Sequence, residues 1–168
     1  MLHRILVPIA SSDSVGKFIF QEALDLAKAT RANLRLLHVL SLDDKDTPGI
    51  LSLMNNPESK KRWEEFEKPG LDLLKSFANE AIAAGVSTEY SQILGSPSRI
   101  ICETAKTWEA DLIVMGRRGI SGISELILGS VSNYVTHHAP CSVLVVQSST
   151  SAKSENLKET ELANISSR

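Results

Sequence analysis

Apolar residues gather in four short runs, RILVPIA (4–10), NLRLLHVL (33–40), DLIVMG (111–116) and CSVLVVQ (141–147), while a fifth, STEYSQIL (87–94), alternates. Runs of this length read as strands, and near-continuous ones suit a sheet covered on both faces. Between them the apolar positions recur at helical spacing. In residues 13–32, Phe18, Ala23, Leu24, Leu26 and Ala27 fall on one face. Residues 57–85 have strong helical propensity but contain Pro69-Gly70, which predicts a break or kink. Residues 97–110 open on Pro97 and are amphipathic, and 124–138 form a last helical segment with Gly129 near its start or inside it. Strands and helices alternate throughout, which predicts right-handed crossovers and a parallel sheet.

Two segments break the alternation. Residues 41–57 are polar, with Pro48, Gly49 and Pro57, and read as an exposed excursion. Residues 148–168 carry few apolar side chains and read as a disordered tail or weak helix, leaving 1–147 as one folded domain. With 168 residues, 42% of them apolar, the chain can bury a core of its own. A net charge of −2 lacks the basic excess of a general nucleic-acid binder. Cys102 and Cys141 are far apart in sequence and read as reduced, buried thiols. The first ten residues lack a signal-peptide pattern, and no apolar run reaches the roughly 18 residues of a membrane helix. The expected compartment is the cytosol, with no membrane and no nucleic-acid partner.

The segment PIASSDSVGKF (8–18) resembles a phosphate loop of the G-x-x-x-x-G-K-[ST] type, but Ser11 replaces the first glycine and Phe18 the closing hydroxyl. A better candidate lies later. In an open parallel sheet, ligands sit outside the carboxyl ends of the strands where strand order reverses. GRRGISGIS (116–124) follows the fourth strand, and its glycines Gly116, Gly119 and Gly122 let backbone amides approach an anion closely. Arg117 and Arg118 add positive charge there. LGSVS (128–132) adds a glycine and two hydroxyls; at a helix N-terminus these residues would favour phosphate.

With these residues the chain resembles the universal stress proteins. The resemblance spans residues 3–146 and rests on ILVPIASSDSV, LRLLHVL, LGSPSRII, ADLIVMGRRGISGISELILGSVSNYV and APCSVLVV. Its specific element is Gly116-x2-Gly119-x9-Gly129-Ser130, the pattern of the ATP-binding branch. The resemblance implies a five-stranded parallel sheet of order 3-2-1-4-5 with helices on both faces. It also implies a homodimer paired through the last strand, Ser142 to Val146. For the ligand it implies that Pro8, Ile9 and Ala10 line the nucleoside and that the Val39 backbone meets adenine. Gly116 and Gly119 would lie beside ribose and phosphates, Gly129, Ser130, Val131 and Ser132 would hold the phosphates, and Met115, Arg117 and Gly122 are expected in the same nucleotide-binding set.

One position departs from the family: Ala10 stands where an aspartate usually meets ribose or a metal. A lost charged hydrogen bond costs about 1.5–3 kcal/mol, or on the order of 10- to 100-fold in affinity. ATP, with Mg or Mn as companion ion, is the first expectation; ADP, AMP and cyclic AMP remain open. Asp13 is expected to cap the first helix rather than replace the lost carboxylate, and Lys17 to be a helical surface residue.

Other residues read more plainly. His137-His138 point about 100° apart on a helix and suit its C-terminal dipole better than a metal. His38 reads as a sheet residue under a helix or near the ligand mouth, Trp63 and Phe66 as one buried stripe, and Glu125 as helix-end charge. The expected function is a nucleotide-binding regulatory module of the stress response. The alternatives are a slow ATPase or phosphotransferase, which would need a positioned base, and an interaction module with an empty site.

Overall fold

The computed structural model describes residues 1–41, 57–117 and 128–147. Most of the polar excursion, the segment holding Arg118, Gly119, Gly122 and Glu125, and the tail lie outside the described residues. The elements are β1 (Arg4–Pro8), α1 (Ser14–Thr30), β2 (Asn33–Leu40), α2 (Pro57–Ala83), β3 (Thr88–Leu94), α3 (Pro97–Thr107), β4 (Leu112–Gly116), α4 (Ser130–His138) and β5 (Ser142–Val146). The sheet is five-stranded and parallel, in the order β3-β2-β1-β4-β5.

The apolar central strands β1, β2 and β4 are buried on both faces, as double coverage demands. Ile5 and Val7 of β1, Leu34 and Leu36 of β2 and Leu112 and Val114 of β4 meet α1 and α2. There Phe20 and Phe77 stack at 4.5 Å with ring planes 15° apart. The intervening residues Leu6, Leu37, Ile113 and Met115 face the opposite way, onto Ile101 and Ala105 of α3 and Val135 of α4. At the far end of the sheet, Asp111 accepts the His3 and Arg4 amides at 2.7 and 2.9 Å and ties β4 to the start of β1.

Of the expected break or kink at Pro69-Gly70, no break forms: α2 runs through it as one helix. Pro69 and Glu65 both lie on the exposed face, so water can serve the carbonyl that the missing proline N–H leaves free. Gly70 is buried because a sheet pair occupies the space a side chain would need. His38 of β2 places Nδ1 2.9 Å from Oε1 of Gln92 on β3, and Gln92 Nε2 donates to the Glu67 carbonyl at 3.0 Å. The amide oxygen can only accept, so Nδ1 carries the proton. Burial pushes the His38 pKa below its ordinary value, against the opposing bond to Gln92. A Cβ on Gly70 would collide with Gln92 Oε1 and the His38 ring. Gly70→Ala is therefore expected to cost about 1–2 kcal/mol in urea unfolding, after an offset of about 1 kcal/mol for helix propensity.

Trp63 and Phe66 are half-buried rather than buried, with centroids 5.7 Å apart, and the indole N–H donates to Glu67. Cys102 and Cys141 are free and half-buried, and burial raises both thiol pKa values.

Candidate functional site

Sheet order places the site. β1 leads through α1 on one face toward β2, and β4 leads through α4 on the other face toward β5. The chain therefore leaves in opposite directions at the carboxyl ends of β1 and β4, which opens a crevice between them. Pro8, Ile9 and Ala10 form the β1 exit, Met115, Gly116 and Arg117 form the β4 exit, and Gly129 to Ser132 open α4 at the same edge.

The side chains of these residues divide sharply. Ala10 is exposed, and Pro8, Gly116 and Arg117 are half-buried. Ile9 is 3% exposed and belongs to the core under α1, while Met115 is 5% exposed and belongs to the core under α3 and α4. Their side chains are taken up by the core, which narrows the expectation that Ile9 lines a nucleoside and that Met115 belongs to the nucleotide-binding set. The last rung between β1 and β2 runs from the Ile9 N–H to the Leu37 carbonyl at 2.8 Å. Strand alternation puts the Val39 main chain on that same side, one step past the rung. Its side chain faces the other core cluster. A main-chain role for Val39 is consistent with this placement.

The start of α4 is the electrostatic centre of the edge. Gly129 is its N-cap (φ −58°, ψ 154°), with no side-chain cap bond. The first helical bond runs from the Asn133 N–H to the Gly129 carbonyl at 2.9 Å. The amides of Ser130, Val131 and Ser132 precede it, at the positive end of the helix dipole. Such a terminus accepts phosphate or carboxylate. The sequence treated Ser132 as part of the same phosphate turn. Ser132 is 2% exposed as a residue, and its Oγ donates to the Arg117 carbonyl at 2.9 Å.

The β1–α1 segment is built for a different purpose. Asp13 is the N-cap of α1, and its Oδ1 accepts the Gly16 N–H at 2.8 Å. That bond holds the carboxyl below its ordinary pKa. Lys17 is exposed on the helix surface. Gly16 is buried because the Ser11 carbonyl stands where its Cβ would be. The phosphate-loop likeness of 8–18 thus resolves into a helix cap and a close backbone approach. Sequence reasoning assigned Gly16 no role of its own, and only the fold reveals Ser11 against it. It also missed Gln92, which no pattern marks.

Two residues remain apart from this edge. His137 and His138 each place Nδ1 2.8 Å from the carbonyl four residues back, so both rings donate into their own helix, and His138 stacks on Tyr134 at 4.0 Å. Among the described residues no three acidic, histidine or cysteine side chains gather as a metal site, and no helix is long and apolar enough to cross a membrane.

Comparison with known proteins agrees with this architecture. The sequence profile of the Universal stress protein family matches residues 1–147. The chain is 35% identical over 150 residues to Universal stress protein Sll1388 of Synechocystis sp., covering 86% of this chain and 97% of that protein. Among solved structures it superposes on Universal stress protein UspA from Lactobacillus plantarum with a TM-score of 0.71 at 28% identity, covering 86% and 97% of the two chains. It shares its fold with an Arabidopsis thaliana universal stress protein family protein solved with AMP bound (TM-score 0.64, 23% identity, 89% and 94% covered). It also shares it with a universal stress protein solved in complex with cAMP (TM-score 0.63, 22% identity, 87% and 97% covered). The chain belongs to the universal stress protein family.

Proposed function

We propose that this chain is a regulatory module that binds an adenine nucleotide, ATP first, at the β1–β4 crevice, with its phosphates on the amides of Ser130, Val131 and Ser132. The observation that carries the reading is the α4 N-terminus, without a side-chain cap among the described residues, beside the switch point of the sheet. The AMP and cAMP complexes of proteins with this fold support the ligand class. They also favour a second reading, a sensor of AMP or cyclic AMP. Pro8 and Ala10 would border the nucleoside, the main chains of Ile9, Met115 and Val39 would meet its edges, and Gly116, Arg117, Gly119, Gly122 and Gly129 would surround the ribose and phosphates. A divalent ion, Mg or Mn, would be held by the nucleotide's phosphates, since Ala10 offers no carboxylate at the β1 exit.

The module would comprise residues 1–147, act in the cytosol, and respond to stress through its bound state rather than through turnover. It would pair with a second copy through β5. That strand is hydrogen-bonded to β4 on one side, lies at the sheet edge, and exposes Leu144 to 41%. Such an edge invites another strand.

The test is to denature the purified protein and identify any released nucleotide by chromatography and mass spectrometry. Near-stoichiometric ATP or ADP supports the first reading, and AMP or cyclic AMP supports the second. No release, followed by no binding of any of the four at millimolar concentration, would refute both.

A further inference from the structure

We propose that Ser132 is a positioning residue of the phosphate site: its hydroxyl anchors the α4 N-terminus to the end of β4 and does not itself bind phosphate. The inference rests on the nucleotide reading above and assigns a role within that site. It comes from three bonds that converge on one residue. The Arg117 carbonyl accepts the Ser132 hydroxyl at 2.9 Å and the Gly129 N–H at 3.0 Å, and the Arg117 N–H donates to the Val146 carbonyl at 3.0 Å. A single residue thus joins the end of β4, the first turn of α4 and the end of β5.

The geometry separates the two serines. Ser130 is exposed at the first helical position. Ser132 sits at the third, 2% exposed, and its donor is committed to a carbonyl 15 residues earlier rather than to its own helix. A hydroxyl carries one proton, so this bond leaves Ser132 Oγ no proton to donate to an anion. What Ser132 can offer is its amide, and the side chain fixes where that amide points. Gly129 is held by the same carbonyl, so both ends of the three-amide turn are tied to β4. Binding sites gain affinity from donors held in place before the ligand arrives. Freeing one end of the turn should weaken phosphate contacts and leave base and ribose contacts alone.

The test compares the wild type with Ser132→Ala and with a control, Val135→Ala, which truncates a fully buried α4 residue outside the junction. Three readouts are taken: amide hydrogen exchange at Gly129, ATP affinity, and adenosine affinity. Ser132→Ala is expected to speed Gly129 exchange and weaken ATP about three- to tenfold, with adenosine unchanged. Val135→Ala is expected to lower the unfolding midpoint without separating ATP from adenosine. Unchanged Gly129 exchange in Ser132→Ala would overturn the proposal. So would an equal loss of ATP and adenosine, or a Val135→Ala variant showing the same ATP-selective loss. The exchange readout needs no ligand. If it rises while wild-type protein binds no ATP, the anchor stands and the nucleotide reading alone falls.

Discussion

Replacing Gly16 with alanine is expected to lower the unfolding free energy by about 2–3 kcal/mol and to weaken nucleotide binding with it. The cost is large because the group in the way is backbone. A Cβ at this position collides with the Ser11 carbonyl oxygen and lies 3.0 Å from its carbon. A flexible side chain could swing aside, but Ser11 is fixed between the β1 exit and the Asp13 cap. Either α1 shifts along the sheet, straining its packing through Phe20 and Leu24, or residues 9–13 move outward. Alanine's better helix propensity offsets about 1 kcal/mol of the steric cost. The second route displaces Ile9 and Ala10, on the nucleoside side of the proposed crevice. Urea unfolding together with ATP titration checks the claim. An unchanged midpoint would show that the approach of Ser11 to α1 is easily relaxed.

Ser130→Pro is expected to cut ATP affinity by about 10- to 100-fold while leaving stability nearly unchanged. Proline at the first helical position is well tolerated, since its missing N–H has no intrahelical partner there and its φ suits a helix. The preceding Gly129, with ψ 154°, already has the extended conformation that proline requires of its neighbour. The substitution therefore removes one amide donor from the anion site at little structural cost. Ser130→Ala, which removes only the hydroxyl, separates the side chain from the backbone; a small effect there and a large one in Ser130→Pro would locate the interaction in the main chain. Equal, small effects in both would place the phosphates elsewhere.

The fold was largely legible because its central strands are apolar on both faces. β2 occupies the run read from the sequence, Asn33–Leu40, and the other strands lie within the apolar runs or end a residue or two inside them. Pro69 misled because a breaking signal in a sequence does not show whether the residue faces water, and here it does. Of the candidate edge, the described parts, Gly116 and Arg117 at the end of β4 and the start of α4, lie at the carboxyl end of the sheet, and Gly129 caps α4 rather than sitting within it. The roles inside that edge were not legible. Ile9 and Met115 are polar-site residues by position but core residues by burial, a distinction set by the helices above them. Ser132 looks like Ser130 in the chain, and only the return of α4 to Arg117 tells them apart. Gly16 sits in a motif-like string, yet its reason is a carbonyl five residues back.

The central claim is that the α4 N-terminal amides hold phosphate, and backbone amide NMR tests it most directly. ATP titrated into labelled protein should shift the Ser130, Val131 and Ser132 amides strongly, with adenosine shifting Val39 and the β1 exit but not these three. ATP binding that leaves all three amides unmoved would contradict the account.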